Sequence, residues 1–180
     1  MQVAWEGETV ANASRVAVVK AAGLEYTTEN GLNYGENLIG AGTNPLSTFA
    51  TLQAAIAQVL SDDEGSCVAI ANEVGTAKIA NPFSAGDISY VESPYSYNSI
   101  VDFQDNIRSI RNVWNGSTTG AAADKSFRNF FARVNTSVGV QETVEHAIIQ
   151  IGNMPSPFVK YCSTIWNIEF IDDEDWNVEE

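Results

Sequence analysis

Cysteine, histidine, proline and positive charge are all scarce in this 180-residue chain, and each scarcity excludes something. There are two cysteines, Cys67 and Cys162, far apart and without the CxxC or Cys/His spacing of a structural zinc site. Their spacing alone leaves open whether they pair or stay as thiols. The one histidine, His146, lies in Glu142-Thr-Val-Glu145-His146-Ala-Ile-Ile-Gln150. Gln150 stands where a helical zinc site would need its second histidine, so His146 reads as an ordinary helical residue. Nine Lys and Arg against 23 Asp and Glu leave a formal charge of −14. The cations are scattered, and the closest pair, Arg108 and Arg111, is outweighed by Asp102 and Asp105 nearby. Nucleic acid and anionic membrane surfaces are therefore excluded as partners. The longest mostly apolar stretch, Val16 to Leu24, is interrupted by Lys20 and falls well short of the ~20 residues that span a bilayer. Residues 1–6 lack the basic and apolar regions of a signal peptide, so export is expected to be encoded elsewhere. The chain also has no GxSxG, phosphate-binding loop, dinucleotide fingerprint or calcium-loop spacing.

What is present is helical patterning. With 44% hydrophobic residues the chain can bury a core. Val10, Ala13, Val16, Ala17 and Ala21 predict a helix over residues 3–23, and the Gly- and Asn-rich stretch from Thr27 to Pro45 predicts a long irregular connection. Ser47 is expected to cap a helix to about Leu60 with Phe49, Leu52, Ile56 and Leu60 as its buried stripe. A helix over 66–79 should be stopped by Pro82. The clearest pattern covers 98–114, where Ile100, Phe103, Ile107, Ile110 and Trp114 form one apolar face. Further helices are expected over 124–134, capped by Asp124, over 140–151, and from Pro157 to about 168. Residues 171–180, with six carboxylates in 172–180, read as a frayed tail. The short apolar run 168–171 is the best strand candidate and leads straight into charge. The fold class is all-α: an up-and-down helical bundle with a long irregular loop, as a single domain over 1–170.

Opposite the apolar stripe of helix 98–114, Asn98, Asp102, Asp105 and Ser109 share a face, with Asn106 and Asn112 beside it. Such a face is commonly just solvated. Asn and Ser are mediocre helix formers, however, and their density here points to hydrogen bonding with something. The preceding segment, Glu92-Ser-Pro-Tyr-Ser-Tyr-Asn-Ser99, concentrates a carboxylate, hydroxyls, phenols and an amide that could line a polar pocket. It could equally be a proline turn whose Ser or Asn caps the helix.

Three segments together resemble a known family. They are Ser66-Cys-Val-Ala-Ile-Ala-Asn-Glu-Val-Gly-Thr-Ala-Lys-Ile-Ala-Asn-Pro-Phe83, the Glu92 segment above, and Asp102-Phe-Gln-Asp-Asn-Ile-Arg-Ser-Ile-Arg-Asn-Val-Trp-Asn-Gly116. They look like the C-terminal half of imelysin-like proteins, also called peptidase M75 or insulin-cleaving membrane proteases. The likeness covers about residues 45–116, and Pro155-Ser-Pro-Phe158 before a last helix also fits. It implies a bacterial, exported protein of the periplasm or cell envelope, often anchored at the outer membrane, built from two helical bundles whose interface forms the site. Some relatives are tied to iron uptake. The family's Gly-x-His-x-x-Glu motif is absent; around His146, Val144 and Ile149 stand where the Gly and Glu would be. By resemblance this chain supplies one wall of the site: Glu92, Ser93, Ser96, Asn98, Asp102, Asn106 and Ser109, with Glu73 and Lys78 as secondary candidates.

The resemblance implies an N-terminal imelysin-like half as partner. It also implies a small polar ligand or a metal ion, iron or another divalent cation, held jointly with that half. Carboxylate and amide oxygens suit hard cations. Three functions stay open: a binding domain, half of a metal-dependent hydrolase that is inactive alone, or a structural bundle without a site.

Overall fold

The computed structural model describes residues 1–86, 88–134 and 139–166. The acidic tail and the 168–171 strand candidate lie outside these residues. Every regular element among the described residues is helical, in agreement with the all-α reading. By chain contacts the molecule divides into two compact units, one of Met1–Ser66 and one beginning at Cys67.

The first unit departs most from the sequence pattern. Instead of one helix over 3–23 there are two, α1 (Gln2–Glu6) and α2 (Ala13–Ala21). Gly7 breaks the run by adopting φ 80°, and the Asn12 side chain starts the second helix by accepting from the Ser14 N–H. The expected irregular connection contains α3 (Tyr34–Ile39), started by the Asn33 side chain accepting from Glu36 N–H. The next helix, α4 (Leu52–Leu60), begins later than expected, because Thr51 rather than Ser47 is the cap. The Ser47 hydroxyl donates to the Asn37 carbonyl instead. Asn37 is buried and doubly tied to Thr48, by Nδ2 to the hydroxyl at 2.9 Å and by Oδ1 to the N–H at 2.8 Å. The predicted α4 stripe is not buried: Leu52 and Ile56 are exposed, and Ala55 faces inward.

The second unit is organised by α6 (Ser99–Asn115), whose apolar stripe packs as its spacing predicts. Ile100, Phe103 and Ile107 join Val144, Ile148 and Ile151 of α8 (Val140–Gly152) and Phe158, Val159 and Cys162 of α9 (Phe158–Trp166) in one core. Phe103 meets Phe158 edge-on at 5.5 Å between ring centres. Trp114 stacks on Phe131 of α7 (Phe127–Arg133) at 5.5 Å. The cap of α7 is Ser126, not Asp124, since its hydroxyl accepts from Asn129 N–H. Both cysteines are free thiols; Cys162 lies in the core, where burial pushes its thiol pKa up.

Pro82 does not stop the helix that starts as α5 (Cys67–Glu73). The chain continues as a π-helical segment, Val74–Ala85, with Pro82 inside it. Bonding to i−5 shifts the i−4 carbonyl that a proline ring would strike in an α-helix. The Ser84 hydroxyl donates to the Ala80 carbonyl within the same stretch. The region expected to be turns, 81–96, is thus partly helical, including a 3-10 turn at Ile88–Tyr90.

Candidate functional site

The junction between the 92–98 loop and the first turn of α6 is built on two unusual backbone positions. Ser93 has φ 54° and Tyr97 has φ 57°, left-handed conformations that side chains other than glycine rarely adopt. Hydrogen bonds hold the loop there. The Ser93 hydroxyl donates to the Asp102 carboxylate, and the buried Ser99 hydroxyl donates to the Glu92 carbonyl. Asn98 does not cap α6 through its side chain. The hydroxyls around it fold the loop back on the helix instead.

Charge is supplied from the π-helical segment. Lys78 Nζ lies 2.9 Å from the Glu92 carboxylate and 3.6 Å from that of Glu73. Burial pulls the Lys78 pKa down, but the bond to Glu92 and the two negative charges outweigh it, and the net shift is upward. On the other side, the Lys160 ammonium of α9 sits 4.9 Å over the Tyr97 ring. Helix α9 also reaches the π segment: the Trp166 indole N–H donates to the Phe83 carbonyl at 3.1 Å, and Tyr161 stacks with Phe83.

Of the residues singled out in the sequence, the structure brings Glu92, Ser93, Asp102, Lys78 and Glu73 into one connected set. Ser96 lies at the loop tip, with its hydroxyl 3.4 Å from the Ser93 carbonyl. Asn106 and Ser109 lie one and two turns along α6 from Asp102, about 6 and 10 Å at 1.5 Å per residue. The Ser109 hydroxyl is turned back onto the Asn106 carbonyl at 2.6 Å. Asp105 pairs with Arg108 at 2.6 Å. His146 is exposed on α8, 3.3 Å from Gln150. Sequence reasoning included Tyr97 and Ser99 in the polar segment without giving either a role of its own, and it missed Lys160. Ser99 was detectable in the Ser-rich run, whereas the left-handed backbone and the approach of α9 depend on tertiary packing.

Among the described residues no group of three or more His, Cys, Asp or Glu could hold a metal ion. Glu73 and Glu92 share one cation, Lys78, and Asp102 is engaged by Ser93. These donors do not by themselves fit a metal. What they can do is present hydroxyl, carboxylate and ammonium groups to a small polar ligand.

An all-helical protein with a braced polar loop at the head of its central helix is the class that fold and site define. The Imelysin family model (Peptidase_M75) matches residues 8–161, most of the chain. The chain belongs to the imelysin family. The match reaches well beyond the 45–116 segment that carries the recognisable motifs. No curated protein matches the chain, and no solved structure does. None of the helices described is long and apolar enough to cross a membrane.

Proposed function

We propose that this imelysin-family chain is a binding domain of the bacterial periplasm or cell envelope. In this reading it is a C-terminal half, and its 92–98 loop with the first turns of α6 forms one wall of a polar-ligand site. The opposite wall belongs to an N-terminal imelysin-like half. If iron or another divalent cation is the cargo, that half must bring most of its ligands, since Glu92 and Glu73 are already paired with Lys78. The observation that carries the reading is the pair of left-handed residues, Ser93 and Tyr97, bracketing Pro94-Tyr95-Ser96. Backbone strain of this kind costs about 1–3 kcal/mol per residue and gathers at binding sites. Ser93, Asp102 and Lys78 would orient the ligand by hydrogen bonding and charge.

The test is amide chemical-shift mapping on the intact chain with defined polar probes: citrate and a set of small polyols and amino acids. Shifts confined to residues 92–102 and abolished by Asp102→Ala are the expected result. The reading fails if none of these probes perturbs that segment.

A further inference from the structure

At the far end of α6 from the candidate site, a second polar neighbourhood has no role in what has been described. Among the described residues, four buried side-chain atoms lack a hydrogen-bond partner: Arg111 Nε, Trp114 Nε1, Asn115 Oδ1 and Gln141 Oε1. Three lie on the last turn and a half of α6 and the fourth on the first turn of α8. Three of the four are linked by contacts, and Trp114 follows Arg111 by three positions on the same helix. Arg111 lies 3.6 Å from the Glu145 carboxylate, and the Gln141 amide donates to that carboxylate at 2.9 Å. Asn115, fully buried, donates to the Gly120 carbonyl at 3.0 Å, and Gly120 in turn lies against the Arg111 guanidinium. The grouping matters because an orphaned buried polar atom costs about 1–3 kcal/mol, and a fold rarely collects several at one junction.

The four atoms comprise two N–H donors and two carbonyl-type acceptors, flanked by one positive and one negative side chain. An anion would satisfy only the donors and a cation only the acceptors. A molecule of water, which accepts two hydrogen bonds and donates two, matches both halves of the set. We infer that the α6–α8 junction is an internal hydration site, in which one or two long-lived water molecules bridge Arg111 and Trp114 to Gln141 and Asn115. The bound water ties the end of α6 to the start of α8 across a junction that direct side-chain contacts leave incomplete.

The test uses the intact, nitrogen-15-labelled protein. Water-selective cross-relaxation should show a slowly exchanging water at the Trp114 indole N–H or the Arg111 Nε–H. In Gln141→Met, which keeps the volume but removes this acceptor together with the amide that donates to Glu145, the water signal should be lost or exchange at least about fivefold faster, because the water is stripped of a partner. A dry junction predicts no such signal in either protein. Absence of the signal at both N–H groups of the wild type overturns the inference, as does a signal left unchanged in Gln141→Met, and a wild-type signal that is weakened in the variant supports it.

Discussion

Ser93 combines a strained backbone with a charge-assisted hydrogen bond, and the two can be separated by substitution. Ser93→Ala keeps φ in the left-handed region and leaves Asp102 without its donor, so it should lose about 1–2 kcal/mol. Ser93→Gly loses the same bond but relieves the backbone cost of about 1–2 kcal/mol. It should therefore be the more stable of the two variants, as read from urea unfolding midpoints. Equal midpoints would show that the backbone there is unstrained. Lys78 gives a pH test at the same scale. Its folded pKa is raised above the ordinary 10.5, so its ion pair contributes fully below that value and the contribution is lost as pH rises through the folded pKa. Wild type should lose stability relative to Lys78→Met as the pH is raised beyond 10.5, and a constant difference between the two proteins would refute the coupling.

At the scale of elements, Gly86 ends the π-helical segment where it packs against α9. It has φ 69°, and a Cβ there would lie 2.9 Å from the Trp166 ring. Gly65 has nearly the same φ, 71°, with nothing within 4 Å of its Cβ position. Gly65→Ala therefore measures the backbone cost alone, about 1 kcal/mol. Gly86→Ala should cost more, by about 1–2 kcal/mol of displaced packing, and should move the Trp166 indole resonance as its bond to Phe83 is disturbed. The same elements show where the sequence was readable. Helix α6 was plain because five large apolar residues repeat at three and four, and that pattern survives packing. The bounds of α8 and the start of α9 beside Pro157 were legible too. The break at Gly7, the short α3 and the choice of Thr51 over Ser47 were hidden because alanine-rich and Asn-rich stretches give a weak period and several equivalent caps. The continuation through Pro82 was hidden because proline normally ends a helix, and nothing local announces a π turn. At the site, the residue types were legible and the grouping of Glu92, Ser93 and Asp102 follows from their nearness in the chain. The roles of Lys160 and Tyr97 required the fold.

At the scale of the whole molecule, the two units bury very different cores. The buried apolar residues of Met1–Ser66 are Val3, Ala11, Ala41 and Ala55, while Trp5, Ile39, Leu52 and Ile56 are exposed. The second unit buries Phe103, Phe158, Ile100, Ile107, Ile148 and Ile151 among others in one cluster. Fully burying a large aliphatic or aromatic side chain is worth about 1.5–3 kcal/mol, and an alanine much less. Order in the first unit therefore rests more on polar ties such as Asn37 to Thr48 and on helix caps, each worth about 1 kcal/mol and easily exchanged for water. Native-state hydrogen exchange should reflect this difference. Amides in the middle of α4 should open with a free energy at least ~2 kcal/mol below those of α6 around Phe103, and denaturant unfolding should be correspondingly broadened rather than two-state. Exchange at one common free energy in both helices would mean that the first unit draws its stability from the second unit's core, and that the chain unfolds as a single cooperative body.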